Sequence, residues 1–278
     1  MQLRHLAITL VALTAATTAA ACGGSGSPSS VSAGCKPAHT FSTVTKGALT
    51  VATYDLPPFT KVQGTDLTGV DGDILKSIAK KECQSITVNS MATAAVIPTI
   101  QAGRADIAAG AWYRTAARAK VVSLSAPMYI DQMAFVSKDG ITKVSQLQGR
   151  KVGTVDGYLW VADIKKVLNG AVSVYSTPVN MYQDLKSGRI DVGIDSFASG
   201  KFNASGLKVE VTEPDPQVAA SVQAAQIGFP VPKDNTALLD AINADIAAMH
   251  SSGELAKILT ANNLPASAAD TGSPRLSG

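Results

Sequence analysis

One eight-residue pattern occurs twice in this chain, and it constrains the fold more than any other feature. Ile100-Gln101-Ala102-Gly103-Arg104-Ala105-Asp106-Ile107 is echoed by Leu185-Lys186-Ser187-Gly188-Arg189-Ile190-Asp191-Val192. In each copy a helix ends at a glycine, the residue that adopts the left-handed C-cap conformation without a Cβ penalty, and a short apolar strand follows. The segments before each copy also correspond. In the first half, a strand at 49–53 precedes a helix at 73–84, where Ile74, Leu75, Ile78, Ala79 and Cys83 recur at helical spacing, and then a strand at 86–88. In the second half, 151–155, 159–168, 172–175 and 180–186 repeat that order. Strands alternating with helices predict parallel sheets with crossover helices, so the chain reads as two α/β lobes of one design.

Chain order sets the expected boundaries. The second lobe closes with 207–211, a strand at 223–229 heads back, and helices at 235–249 and 253–262 have no partner left except the first lobe. Lobe 1 is therefore 47–127 plus 224–265, lobe 2 is 128–223, and residues 266–278 form a flexible tail. Crossings near 128–136 and 223–228 make a hinge. Ligands of open α/β sheets sit beyond the carboxyl ends of strands, and two facing sheets put both sets of ends on one cleft.

Residues 1–21 read as an export signal, with Arg4 and His5, an apolar run at 6–13 and small residues up to Ala21. That run is too short to span a bilayer permanently. Ala19-Ala20-Ala21-Cys22 resembles the lipobox of bacterial lipoproteins, which implies acylation of Cys22; an ordinary secretory signal cleaved nearby is the other reading. The Gly/Ser-rich stretch that follows reads as a tether, part of an anchoring segment over 22–46. Outside the cytoplasm unpaired thiols are a liability, so the remaining cysteines, Cys35 and Cys83, are expected to form a disulfide. His5, His39 and His250 are scattered, so no metal site or cofactor is expected. A net charge of +3 with no basic run gives no case for nucleic acid.

After the first echo, Ala111-Trp112-Tyr113-Arg114-Thr115-Ala116-Ala117-Arg118 takes the chain from a strand end into a short helix with Thr115 as N-cap. Helix starts attract anions, and Arg118 adds a fork suited to a carboxylate. A capped helix carrying a solvated arginine is the plainer alternative.

Further motifs resemble the polar amino-acid-binding family of extracellular solute-binding proteins, family 3. They are Pro57-Pro58-Phe59, Gly69-Val70-Asp71-Gly72-Asp73-Ile74, the 96–106 segment, the Thr115–Arg118 helix start and Leu124-Ser125-Ala126-Pro127-Met128-Tyr129. The likeness runs in order from Gly47 to Leu264. It implies a two-lobed periplasmic-binding-protein-like fold with parallel-rich sheets and two hinge crossings. It also implies a substrate-binding lipoprotein of an ABC importer, monomeric, working beside a permease on the outer face of the cell membrane. Arg118 and the Thr115 N–H and hydroxyl would clasp the α-carboxylate of an amino-acid-like ligand, and the Ala111 carbonyl would accept from its α-ammonium. Asp195, or Ser196 beside it, would pair with that ammonium from the second lobe; a helix N-cap is the plainer role for Asp195. Phe59 matches a ligand-packing position, and Gly157 and Tyr158 fall in the cleft-lining loop. Tyr113 stands where the family has threonine. Thr93 occupies a usual aromatic position, and Tyr54, Trp112 or Trp160 are the candidate replacements.

Other function classes remain open at this level. The same family includes a dehydratase acting on a cyclic amino acid, which needs a tuned acid or base, and only Asp156 and Asp195 fall near the cleft. No nucleophile–base pairing is recognisable, so the chain is not expected to be an enzyme. A sensor module engaging a protein partner is the third class.

Overall fold

The computed structural model describes residues 34–277, so the expected export signal, the expected acylation site Cys22 and the Gly/Ser-rich stretch after it lie outside the described residues. The first lobe is built on β1 (Ala48–Thr53), every residue of which is buried, as expected of a strand covered on both faces. A small hairpin, β2 (Lys61–Gln63) and β3 (Asp66–Thr68), precedes helix α1 (Val70–Lys81), which buries Val70, Ile74, Leu75 and Ile78. Asp71 and Asp73 lie in its first turn and Lys80 and Lys81 in its last, matching the helix dipole at both ends. Then come β4 (Ser85–Ser90), α2 (Thr93–Gln101), β5 (Ile107–Ala108), α3 (Ala116–Val121) and β6 (Ser123–Leu124). The central β1 pairs in parallel with β4 on one side and β5 on the other.

The chain leaves the first lobe through β7 (Tyr129–Asp131) into β8 (Met133–Ser137), and the second lobe repeats the plan. Its elements are β9 (Val152–Val155), α4 (Val161–Val167), β10 (Val172–Tyr175), α5 (Pro178–Lys186), β11 (Val192–Ser196), α6 (Phe197–Asn203), β12 (Lys208–Val211) and α7 (Ala219–Val222). The sheet orders are β4-β1-β5 in one lobe and β10-β9-β11-β8-β12 in the other. Each echo strand lies in parallel beside the strand that opens its repeat, β5 beside β1 and β11 beside β9. Gly103 and Gly188 both take the left-handed conformation, with φ of 62° and 73°.

The return runs through β13 (Ala225–Ile227), which pairs antiparallel with β7 from Tyr129↔Ile227 to Asp131↔Ala225. The two crossings are thus a hydrogen-bonded ribbon. Beyond β14 (Pro230–Val231), α8 (Thr236–Ser252) and α9 (Glu254–Ala261) come back to the first lobe. There Ser77 donates to Glu254 at 2.6 Å and Asn262 to Asp73 at 2.9 Å. Cys35 and Cys83 are joined in a disulfide with Cα atoms 5.8 Å apart.

The expectation of a flexible tail requires correction. Residues 266–269 form a 3₁₀ turn, and Ser277 pairs with the start of α3. Its N–H donates to the Arg114 carbonyl at 2.8 Å, and its own carbonyl accepts from Ala116 N–H at 3.1 Å. The Gln226 side chain of β13 accepts from Arg275 N–H and donates to the Thr271 and Ser273 carbonyls, each at 2.8 Å. A segment that saturates a buried glutamine in this way is docked.

Candidate functional site

The turn after β5 carries the first-lobe residues, and a buried carboxylate shapes it. Asp71 at the start of α1 accepts from Gly110 N–H at 2.8 Å and Ala111 N–H at 2.9 Å through one oxygen, and from the Tyr129 hydroxyl at 2.5 Å through the other. Burial pushes its pKa up, and these three donors oppose that shift. Held this way, Ala111 sits at φ 51°, in the left-handed region that non-glycine residues rarely enter. Gly110, at φ 130°, lies against the Tyr54 ring, where a Cβ would meet Cε1 at 2.5 Å. The Tyr54 hydroxyl donates to the Gly110 carbonyl at 2.9 Å. Asp71 is a positioning residue that sequence reasoning quoted in a motif without assigning it a role.

Arg118 lies in the first turn of α3. Its Nη1 donates to the Tyr113 carbonyl at 2.8 Å and its Nη2 to the Gly157 carbonyl of the second lobe at 3.3 Å. Its Cζ lies 4.7 Å from the centre of the Trp112 ring, a cation–π arrangement. Burial lowers its pKa to about 10, so it stays charged at neutral pH. Among the described residues it forms no ion pair.

Asp195 is fully buried near the end of β11. It accepts from the Ser196 N–H at 2.7 Å, the Ser199 hydroxyl at 2.7 Å and the Tyr182 hydroxyl at 2.8 Å. Burial raises its pKa to about 6 against the pull of these donors. The helix-capping role belongs to Ser196, whose hydroxyl accepts from Ser199 N–H at the start of α6.

One cavity brings these groups together. Its walls are Tyr54, Leu56, Ala111, Trp112, Tyr113 and Arg118 from the first-lobe side, and Tyr158, Leu159, Trp160, Asp195 and Ser196 from the second. Its free volume is about 30 Å³, far below the roughly 300–1,000 Å³ typical of small-molecule sites, so a ligand can enter only when the walls move apart. The aromatic walls meet edge to face: Tyr54 with Trp112 at 5.8 Å, Tyr113 with Trp160 at 6.1 Å, and Tyr158 with Trp160 at 5.2 Å. The Trp160 indole N–H is anchored on the Thr154 hydroxyl at 2.8 Å.

Of the residues expected at the site, Ala111, Tyr113, Arg118, Tyr158, Asp195 and Ser196 line this cavity. Three do not. The Thr115 hydroxyl accepts from Arg118 N–H at 3.1 Å, so it caps α3. Phe59 is fully buried and stacks on Tyr129 at 5.6 Å, a core contact. Gly157 lines a neighbouring opening with Thr93, Trp112 and Arg118, and reaches the site only through its carbonyl. The replacement aromatics Tyr54, Trp112 and Trp160 are all in the walls, whereas Leu56 and Leu159 carried no sequence signal beyond being apolar.

Two lobes of repeated design, joined by two crossings and sharing a cavity walled from both sides, define the two-lobed class of binding-protein folds. The chain belongs to the bacterial extracellular solute-binding proteins, family 3, which it matches over residues 49–262. It is 27% identical over 218 residues to ABC transporter arginine-binding protein 1 of Escherichia coli (strain K12), covering 74% of this chain and 86% of that protein. It is also 27% identical to the arginine-binding extracellular protein ArtP of Bacillus subtilis (strain 168), covering 73% and 81%. Among solved structures, an ancestral arginine-binding protein bound to glutamine is 31% identical with a TM-score of 0.69, covering 78% of this chain and 98% of that one. An amino acid ABC transporter substrate-binding protein of Streptococcus pneumoniae bound to L-arginine is 27% identical with a TM-score of 0.69, covering 78% and 94%.

Proposed function

We propose that this protein is the extracytoplasmic substrate-binding component of an ABC importer and binds an amino acid or similar small zwitterion in a cleft between its lobes. The observation that carries the reading is the pair of charges on the cavity wall: Arg118 from one lobe and Asp195 from the other. Two of the five guanidinium N–H groups of Arg118 are engaged by carbonyls, which leaves donors for a carboxylate. Asp195 receives the α-ammonium. A ligand that touches both charges favours the state in which the lobes 47–127 plus 224–265 and 128–223 are closed, because each contact alone leaves the cleft open. The names of the relatives, two of them arginine-binding proteins, support an amino acid as ligand.

We read the protein as a monomer that delivers its ligand to a permease, held at the membrane by acylated Cys22. The binding role is favoured over catalysis: the one carboxylate on the cavity wall is tied down by three donors, an arrangement that orients a charge and leaves no free base. Calorimetry on Arg118→Ala, Asp195→Asn and Ser196→Ala tests the clasp. Removing either charge leaves a ligand charge unpaired and is expected to cost about 2–5 kcal/mol of binding. Unchanged affinity in Arg118→Ala would remove the clasp, and a loss in Ser196→Ala alone would move the second anchor by one residue.

A further inference from the structure

The relatives that name a ligand mostly name arginine, yet the walls of this cavity are poorly matched to a cationic side chain. Its charged residues are one guanidinium, Arg118, and one carboxylate, Asp195. A zwitterion's own carboxylate and ammonium neutralise both. Every other wall residue is uncharged: Tyr54, Leu56, Trp112, Tyr113, Tyr158, Leu159 and Trp160 form the surface left for the side chain. Resting on the zwitterion reading above, we propose that the site selects an amino acid with an uncharged side chain and discriminates against arginine and lysine.

Two further observations support this. The buried hydroxyl of Tyr113 has no hydrogen-bond partner, and that of Tyr158, close to the Asp195 carboxylate and the Tyr54 hydroxyl, makes no well-aligned bond. A phenol is both donor and acceptor, so these groups suit a neutral polar function such as an amide or hydroxyl. Aromatic rings also hold cations, but one face of Trp112 already carries Arg118. A second cation there would meet a like charge at the same ring.

The rival source of a counter-ion is Asp131 on β7. One of its oxygens accepts from Gln132 N–H at 2.8 Å, and the other has no partner. It is buried and is not among the wall residues, although its charge is felt by Tyr113 on the wall.

The test measures dissociation constants of the whole chain for L-glutamine, L-asparagine, L-threonine, L-methionine, L-leucine and L-phenylalanine against L-arginine, L-lysine and L-glutamate. The tightest neutral ligand is expected to bind at least about thirtyfold more strongly than any charged one, the lower range for leaving a buried charge unpaired. Leu159→Asp, which places a carboxylate on the wall, should shift the ratio toward lysine and arginine. Arginine or lysine binding as tightly as the best neutral ligand would overturn the proposal. Loss of such binding in Asp131→Asn would identify the counter-ion responsible. If no amino acid binds at all, the zwitterion reading itself falls, an outcome distinct from a preference for the wrong side chain.

Discussion

Asp131 and Asp195 are buried carboxylates whose pKa values rise from 3.8 to about 7 and about 6, in both cases chiefly through desolvation. A carboxyl with a raised folded-state pKa binds more protons folded than unfolded across the window between the two values. Stability therefore falls as pH rises from about 4 to about 7, because each ionisation places a charge where water cannot reach it. On the proposed clasp, the ionised Asp195 is the form that would receive an ammonium, so ligand affinity is expected to weaken as pH drops below about 6, where a proton competes for the same oxygens. Asp131 has no such use and leaves one oxygen unpartnered. Asp131→Asn is expected to raise stability at pH 8 by about 1–3 kcal/mol and to flatten the decline. Denaturant midpoints of both proteins at pH 5 and pH 8 check this, and equal pH slopes would refute it.

At the scale of elements, the C-terminal segment and α3 depend on each other. Arg114 Nη1 donates to the Arg275 carbonyl at 2.7 Å, Arg275 Nη2 donates to the Ala224 carbonyl at 2.7 Å, and Ser277 pairs beside Thr115. These bonds fasten the start of α3, which aims Arg118, to the return crossing. Deleting residues 271–278 leaves the buried Gln226 side-chain NH2 without its two acceptors, while Arg114 Nη1 still donates to its oxygen at 3.0 Å, and should cost about 1–3 kcal/mol. The same deletion should weaken ligand binding, because the α3 start keeps its direct bond from Arg114 N–H to the Gln226 carbonyl but loses the clamp of Ser277 on Arg114 and Ala116. Urea unfolding and calorimetry on the truncated chain measure the two effects, and a truncation that changes neither would show the tail to be a passenger. The sequence offered no warning of this docking. A polar, glycine- and proline-containing end has no periodicity, and its partners lie some fifty to a hundred and sixty positions away.

For the molecule as a whole, anchoring and binding should separate. Cys22→Ala is expected to release the protein from the membrane fraction with its ligand affinity intact, since Cys22 lies outside the family match at 49–262. A single acyl chain binds only marginally, so stable anchoring needs the several chains of a lipoprotein. A variant that stays on the membrane would require another anchor. The two-lobed plan was legible in the sequence because it is written locally. Apolar periodicity makes each helix and strand, Gly103 and Gly188 end matching helices, and the echo reappears as the shared orders β4-β1-β5 and β10-β9-β11. Arg118 and Asp195 were legible as charges at a helix start and a strand end. What only the tertiary structure decided is which neighbours each side chain finds. Phe59 went to Tyr129 and the core, the Thr115 hydroxyl to its own helix, and the tail to Gln226, while Tyr54, Trp112 and Trp160 became cavity walls. Helix and strand patterns arise from residues a few positions apart, whereas a cavity wall is set by packing between segments remote in the chain, for which a single sequence carries no local signal.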